Sequence, residues 1–101
     1  MSGISTHILD TALGKPVIGV NVHLLHGQTL INTQVTNNDG RIPALLPATF
    51  ELVAGTYKLV FDVKGPFFPD VQITFRIQDA SAHYHVPLLL SPYGYSTYRG
   101  S

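Results

Sequence analysis

The chain has 101 residues with no cysteine and no tryptophan, and six Lys plus Arg balance six Asp plus Glu to a formal net charge of zero. That length suits one domain with a single modest core and is too short for two. The lack of cysteine excludes a disulfide-stapled scaffold and a thiolate metal site. Scattered basic residues without net charge argue against nucleic acid or an anionic membrane as partner. Charged residues make up only 12% of the chain, against a usual figure of about 25%. A neutral, charge-poor monomer of this size would dissolve badly, so much of its surface is expected to be covered by copies of itself. The opening MSGISTHILD lacks a basic stretch followed by an apolar run, and no apolar run approaches the ~18 residues of a membrane span, so a soluble, cytoplasmic protein is expected.

Taken in chain order, apolar residues of helical period never persist, whereas period-2 alternation recurs. Ile4 to Asp10 reads as a first strand. Val20, Val22 and Leu24 then alternate with Asn21, His23 and Leu25, and Leu30 to Val35 follows. Asn37-Asn38-Asp39-Gly40 is a turn, because Asn, Asp and Gly tolerate the positive φ angles that tight turns need. Gly55 opens a strand from Thr56 to Val63, with Tyr57, Leu59 and Phe61 on one face. Gly65-Pro66 and Pro69-Asp70 punctuate the chain before Val71 to Ile77, where Val71, Ile73, Phe75 and Ile77 share a face. His83 to Leu90 and Tyr95 to Arg99 are the last runs, joined by Ser91-Pro92-Tyr93-Gly94. These make about eight short strands, the profile of an all-β, two-sheet antiparallel sandwich in a single domain over 1–101.

Several side chains could carry chemistry. His83 and His85 are two apart, so on a strand they point to the same face. Such a pair with a third histidine can bind zinc, but the nearest acid, Asp79, belongs to the preceding turn, and no metal is assigned. The alternative is a pair of half-buried strand histidines with ordinary hydrogen bonds, the reading preferred for His23 and for His26, which is expected to face solvent. His85 opens onto the apolar run Leu88-Leu89-Leu90, and His7 stands between Thr6 and Ile8. Each is either neutral and hydrogen-bonded or part of a site with a perturbed pKa. Arg41 follows the Asn-Asp-Gly turn directly, where a solvated arginine at a strand start is the plain reading. Arg99 is either a surface charge or a partner for the terminal carboxylate. There is no Ser-His-Asp spacing, P-loop, GxGxxG or CxxC.

HYHVPLLLSPYGYSTYRGS, residues 83–101, closely resembles the C-terminal signature of the 5-hydroxyisourate hydrolases, the transthyretin-related enzymes of purine breakdown. STHILDTALGKPVIGV from Ser5 to Val20 and TNNDGR from Thr36 to Arg41 resemble the same family, so the likeness spans the domain. GKPVIGVNV and GTYKLVF are also similar to other prealbumin-like modules and by themselves imply only a fold. One departure is evident: where family members carry a short helix before the strand that begins at Val71, this chain has only Lys64 to Asp70. Little or no helix is therefore expected.

The resemblance implies a transthyretin-like (prealbumin-like) fold and a homotetramer, a dimer of dimers, with sites in the channel between dimers. It implies hydrolytic ring opening of 5-hydroxyisourate to 2-oxo-4-hydroxy-4-carboxy-5-ureidoimidazoline in urate degradation, with no cofactor. It places His7, Arg41, His85 and the terminal Tyr98-Arg99-Gly100-Ser101 at the site. In these roles His7 and His85 act as base or position water, Arg41 holds substrate oxygens, Tyr98 contacts the ring and Ser101 orients water or a histidine. Arg99 either contacts substrate or braces the chain end. A transthyretin-like carrier of a small ligand, without catalysis, is the alternative.

Overall fold

The computed structural model describes residues 3–101, and among them there are ten strands and no helix. The strands are β1 (Gly3–Asp10), β2 (Lys15–Pro16), β3 (Asn21–His26), β4 (Thr29–Val35), β5 (Arg41–Ile42), β6 (Gly55–Phe61), β7 (Val71–Ile77), β8 (His83–His85), β9 (Leu88–Ser91) and β10 (Gly94–Thr97). With no helix at all among those residues, none is long and apolar enough to cross a membrane.

The strands form two sheets. One runs β4-β3-β6-β7 and is antiparallel throughout. The other runs β10-β9-β1-β2, with β5 and β8 also paired to β1. Alternation decides which side chains fill the space between the sheets, because successive residues of a strand point to opposite faces. Val22 and Leu24 of β3, Tyr57, Leu59 and Phe61 of β6, and Val71, Ile73 and Ile77 of β7 are buried from one sheet. Ile4 and Ile8 of β1, Ile42, Tyr84 and Leu88 meet them from the other. Fully burying each large aliphatic or aromatic side chain stabilises the fold by roughly 1.5–3 kcal/mol. Tyr57 also donates its hydroxyl to the Val53 carbonyl at 2.8 Å, so its polar end is satisfied.

The expected sandwich is present, with differences that have local causes. The run from His83 to Leu90 is two strands: Val86-Pro87 interrupts it, since proline has no N–H to give a ladder. Both pieces run parallel to β1, so that sheet is mixed while its partner is antiparallel. The expected strand from Thr56 ends at Phe61, and the last strand covers Gly94–Thr97, so that Tyr98 and Arg99 lie beyond it. Two short strands, Lys15–Pro16 and Arg41–Ile42, carry too few residues to show alternation. His26 is half-buried and stacks on Tyr57 at 4.3 Å, so the ring does not stand free in solvent.

The link from Lys64 to Asp70 contains no helix. The Lys64 N–H donates to the Pro69 carbonyl at 2.8 Å and the Gly65 N–H to the Phe68 carbonyl at 3.2 Å, which closes the link as a tight loop. Phe68 then meets Tyr95 of β10 edge-on at 5.3 Å, tying the loop to the edge of the other sheet.

Candidate active site

β1 lies at the centre of the mixed sheet and organises the site. Ile4 and Ile8 face the core, so Ser5 and His7 face outward. Residues directly opposite one another on paired strands share a face. His7 is opposite Arg41 of β5, Ser5 is opposite His85 of β8, and Gly3 is opposite His83. Two neighbours on either side of β1 therefore bring an imidazole pair and a guanidinium to one outward surface. The hydroxyl of Ser5, itself buried, sits 2.8 Å from His83 Nε2 and 2.8 Å from His85 Nδ1. Ser5 was not legible as a site residue, although its spacing of two from His7 is the signal that puts both on one face.

The Asn37 to Gly40 turn positions Arg41. Asn37 Oδ1 accepts from the N–H groups of Asp39 at 2.9 Å and Arg41 at 3.0 Å, and the Gly40 N–H donates to the Asn37 carbonyl at 2.9 Å. Gly40 has φ of +70°, and a Cβ there would stand 2.7 Å from the Ile8 carbonyl oxygen, so only glycine permits this approach to β1. The Ile8 N–H donates to the Gly40 carbonyl at 2.8 Å, which seats Arg41 beside His7.

The last residues return to the same surface. Gly100 forms a bridge to His85, its N–H donating to the His85 carbonyl at 2.8 Å. The His85 ring occupies the space a side chain would need: a Cβ on Gly100 would lie 2.5 Å from His85 Cδ2. Ser101 reaches an open hollow of about 300 Å³ that Ser5, Thr6, Arg41, His83 and His85 also line. Tyr98 and Arg99 do not join this group. They line a separate hollow of about 250 Å³ with residues of β7, Tyr84 and Val86. The reason is the alternation of β8, where His83 and His85 point outward and Tyr84 inward. Arg99 lies over the Tyr84 ring, 4.4 Å from its centroid, while the Tyr84 hydroxyl accepts from the N–H groups of Gln78 and Asp79.

The electrostatics favour uncharged imidazoles. Partial burial pushes His7 below the ordinary imidazole value of 6.5, and the Arg41 guanidinium adds to this, with Asp39 pulling the other way. Burial lowers His85 too, reinforced by Arg41, His7 and His83, while the main chain of Ser5 opposes the shift. A neutral imidazole offers a lone pair, so both rings can accept a proton near neutrality. Among the described residues, no three His, Cys, Asp or Glu side chains come together as a metal site.

A two-sheet sandwich with no helix among the described residues, carrying histidines and an arginine on the outward face of one sheet, is the architecture of a transthyretin-like protein with a polar site. The chain belongs to the HIUase/Transthyretin family, whose model matches residues 4–100. It is 49% identical to 5-hydroxyisourate hydrolase 2 of Rhizobium meliloti over 115 residues, an alignment covering 97% of this chain and 95% of that protein. The structure of Klebsiella pneumoniae 5-hydroxyisourate hydrolase superposes with a TM-score of 0.87 at 39% identity, covering 97% of this chain and 98% of that one. Sea bream transthyretin in complex with thyroxine superposes with a TM-score of 0.86 at 30% identity, covering 96% and 93%.

Proposed function

We propose that this protein hydrolyses 5-hydroxyisourate, acting as a single domain over its 101 residues in a homotetramer built as a dimer of dimers. Relatives named for that activity match nearly the full chain. The observation that carries the reading is the cluster of His7, His85 and Arg41 on one outward face, with both imidazoles held below their ordinary pKa.

The residues divide the work by their chemistry. Water is a weak nucleophile at neutral pH, so a neutral imidazole that removes its proton as it attacks a ring carbonyl accelerates the step, typically by 10²–10⁴-fold. His7 and His85 are the two groups able to do this, and either positions the water for the other. Arg41 holds substrate oxygens and stabilises the charge that grows on the attacked carbonyl, a task worth roughly 3–4 kcal/mol when one donor supplies it. Ser101, on the rim of the hollow, orients water or a histidine. Arg99, stacked on Tyr84, braces the segment that carries Gly100 and Ser101. Tyr98 is exposed on a different side of that segment, so its contact with substrate has to be made across a junction between subunits.

The tetramer is supported by the low charge and by exposed Leu13, Ile18, Tyr93 and Tyr98. Sedimentation that found only monomer would remove it. A carrier role has the fold in its favour, since sea bream transthyretin binds thyroxine on the same architecture. Ionisable side chains make a poor apolar pocket, however, and the cluster here is built from three of them. The test is direct: 5-hydroxyisourate is generated from urate with urate oxidase, and its ultraviolet decay is followed with the protein, with His7→Ala and with Arg41→Ala. Acceleration by the native protein and a loss of at least two orders of magnitude in both variants is expected. Full activity in both variants would overturn the site assignment.

A further inference from the structure

A single hydroxyl joins two of the outward histidines. Ser5 Oγ is 2.8 Å from His85 Nδ1 and 2.8 Å from His83 Nε2, in a chain running from the half-buried ring to the exposed one. A serine hydroxyl has one proton to donate and lone pairs to accept. With both rings neutral, Ser5 accepts from one imidazole N–H and donates to the bare nitrogen of the other. When the outer nitrogen of the donating ring gains a proton, two protons shift along the chain and the charge passes to the other ring, with no movement of heavy atoms.

We propose that Ser5 relays a proton between His85 and His83, so that the positive charge produced when His85 activates water rests on the exposed His83. The proposal rests on the hydrolytic reading above. In the forward step a bond forms between water oxygen and the ring carbonyl carbon, and His85 Nε2 takes the water proton. The proton on His85 Nδ1 passes to Ser5 Oγ, and the Ser5 hydroxyl proton passes to His83 Nε2. His85 ends neutral in its other tautomer, and His83 becomes the cation. When the ring C–N bond breaks, its electron pair stays on nitrogen, which takes the proton from His85 Nε2. The relay then runs backward, His83 to Ser5 to His85 Nδ1, and restores the starting state. Each turnover thus moves one water proton to the leaving nitrogen, and the relay itself gains and loses nothing.

Charge placement is the reason for such a device. A cation on His85 would be partly desolvated and would face the Arg41 guanidinium of β5 and the His7 ring of β1, which together oppose its protonation. His83 is exposed, so water solvates the charge there. Asp39 of the turn acts on His7, and Ser101 of the returning tail lines the same hollow as the pair. On the opposite face of β8, Tyr84 lines a hollow with Arg76, Tyr98 and Arg99, and Arg99 lies over its ring. Ser5 and His83 are positioning residues, since they act through His85.

The test compares His83→Gln with Ser5→Ala. Glutamine still hydrogen-bonds Ser5 and cannot store a proton, which separates relay from scaffold. Both variants should lose about 10–100-fold in kcat with KM within about twofold, and the double variant should lose no more than either single one. The solvent deuterium effect on kcat should shrink in both, and the native proton inventory should change from curved to linear. Native kcat and isotope effect in His83→Gln, or a loss confined to KM, would overturn the proposal. Failure of the hydrolase reading is seen separately, as no acceleration by the native protein. In that event ¹⁵N NMR of the imidazoles still decides: His85 Nδ1 and His83 Nε2 should both shift in Ser5→Ala, and unmoved resonances would refute the shared proton.

Discussion

Gly100→Ala probes the fit between the chain end and the catalytic ring. A methyl carbon at Gly100 would lie 2.5 Å from His85 Cδ2, 3.2 Å from Cγ and 3.3 Å from Cβ. Ordinary carbon contacts begin at about 3.5 Å, so the ring or the tail has to yield by about 1 Å. The Gly100 N–H to His85 carbonyl bond holds the two backbones together, which leaves the ring as the softer partner. Turning it off its rotamer costs about 0.5–1.5 kcal/mol, a small loss for the fold. A displacement of that size at the reacting atom costs on the order of 10²-fold in rate. The expected result in the ultraviolet decay assay is therefore a drop in kcat of about 10–100-fold with a melting temperature within a few degrees of native. Hydrogen exchange at the residue 100 amide shows whether the tail stayed docked. Native kcat with that amide still protected would refute the idea that the missing Cβ holds the His85 ring in place.

Four further outcomes are expected. Because His7 and His85 both titrate below 6.5 in the folded protein, the neutral rings persist into mild acid, and the acid limb of kcat/KM should lie under that value. The same shifts make the unfolded chain bind more protons than the folded one there, so the contribution of these rings to stability is full above 6.5 and falls as pH drops through their folded values, which denaturation at several pH values would show. Asn37→Ala removes the acceptor for the Asp39 and Arg41 N–H groups; it should cost about 1 kcal/mol in urea unfolding and a larger share of kcat/KM, since Arg41 loses its seat. Tyr84→Phe leaves the Gln78 and Asp79 N–H groups without their acceptor, so a loss of about 1–2 kcal/mol is expected by thermal unfolding, with the Arg99 contact retained because the ring face remains.

The sequence by itself determined the sandwich and most of its core. Alternation with a period of two needs no knowledge of partners, so Val22, Leu24, Tyr57, Leu59, Phe61 and Val71 declare their buried face from spacing alone. Asn37 to Gly40 declared its turn through residues whose conformational preferences are local, and the link from Lys64 to Asp70 was too short for a helix. His7, Arg41 and His85 stood as candidates beside plainer alternatives until a resemblance favoured the site, and Ser101 entered through it alone, because a titratable side chain on a strand looks the same locally whether it is catalytic or merely exposed. Only the tertiary structure decided which neighbours β1 would have. Pairing β5 on one side and β8 on the other set Arg41 and His85 beside His7 and Ser5, residues far apart in the chain. Register also separated Tyr98 and Arg99 from Ser101, since Gly100 meets His85 while Arg99 meets the opposite face of the same strand at Tyr84. Strand partners are chosen by long-range pairing and burial, which no local preference encodes, and the hydroxyl bridge from Ser5 to two histidines exists only once that choice has been made.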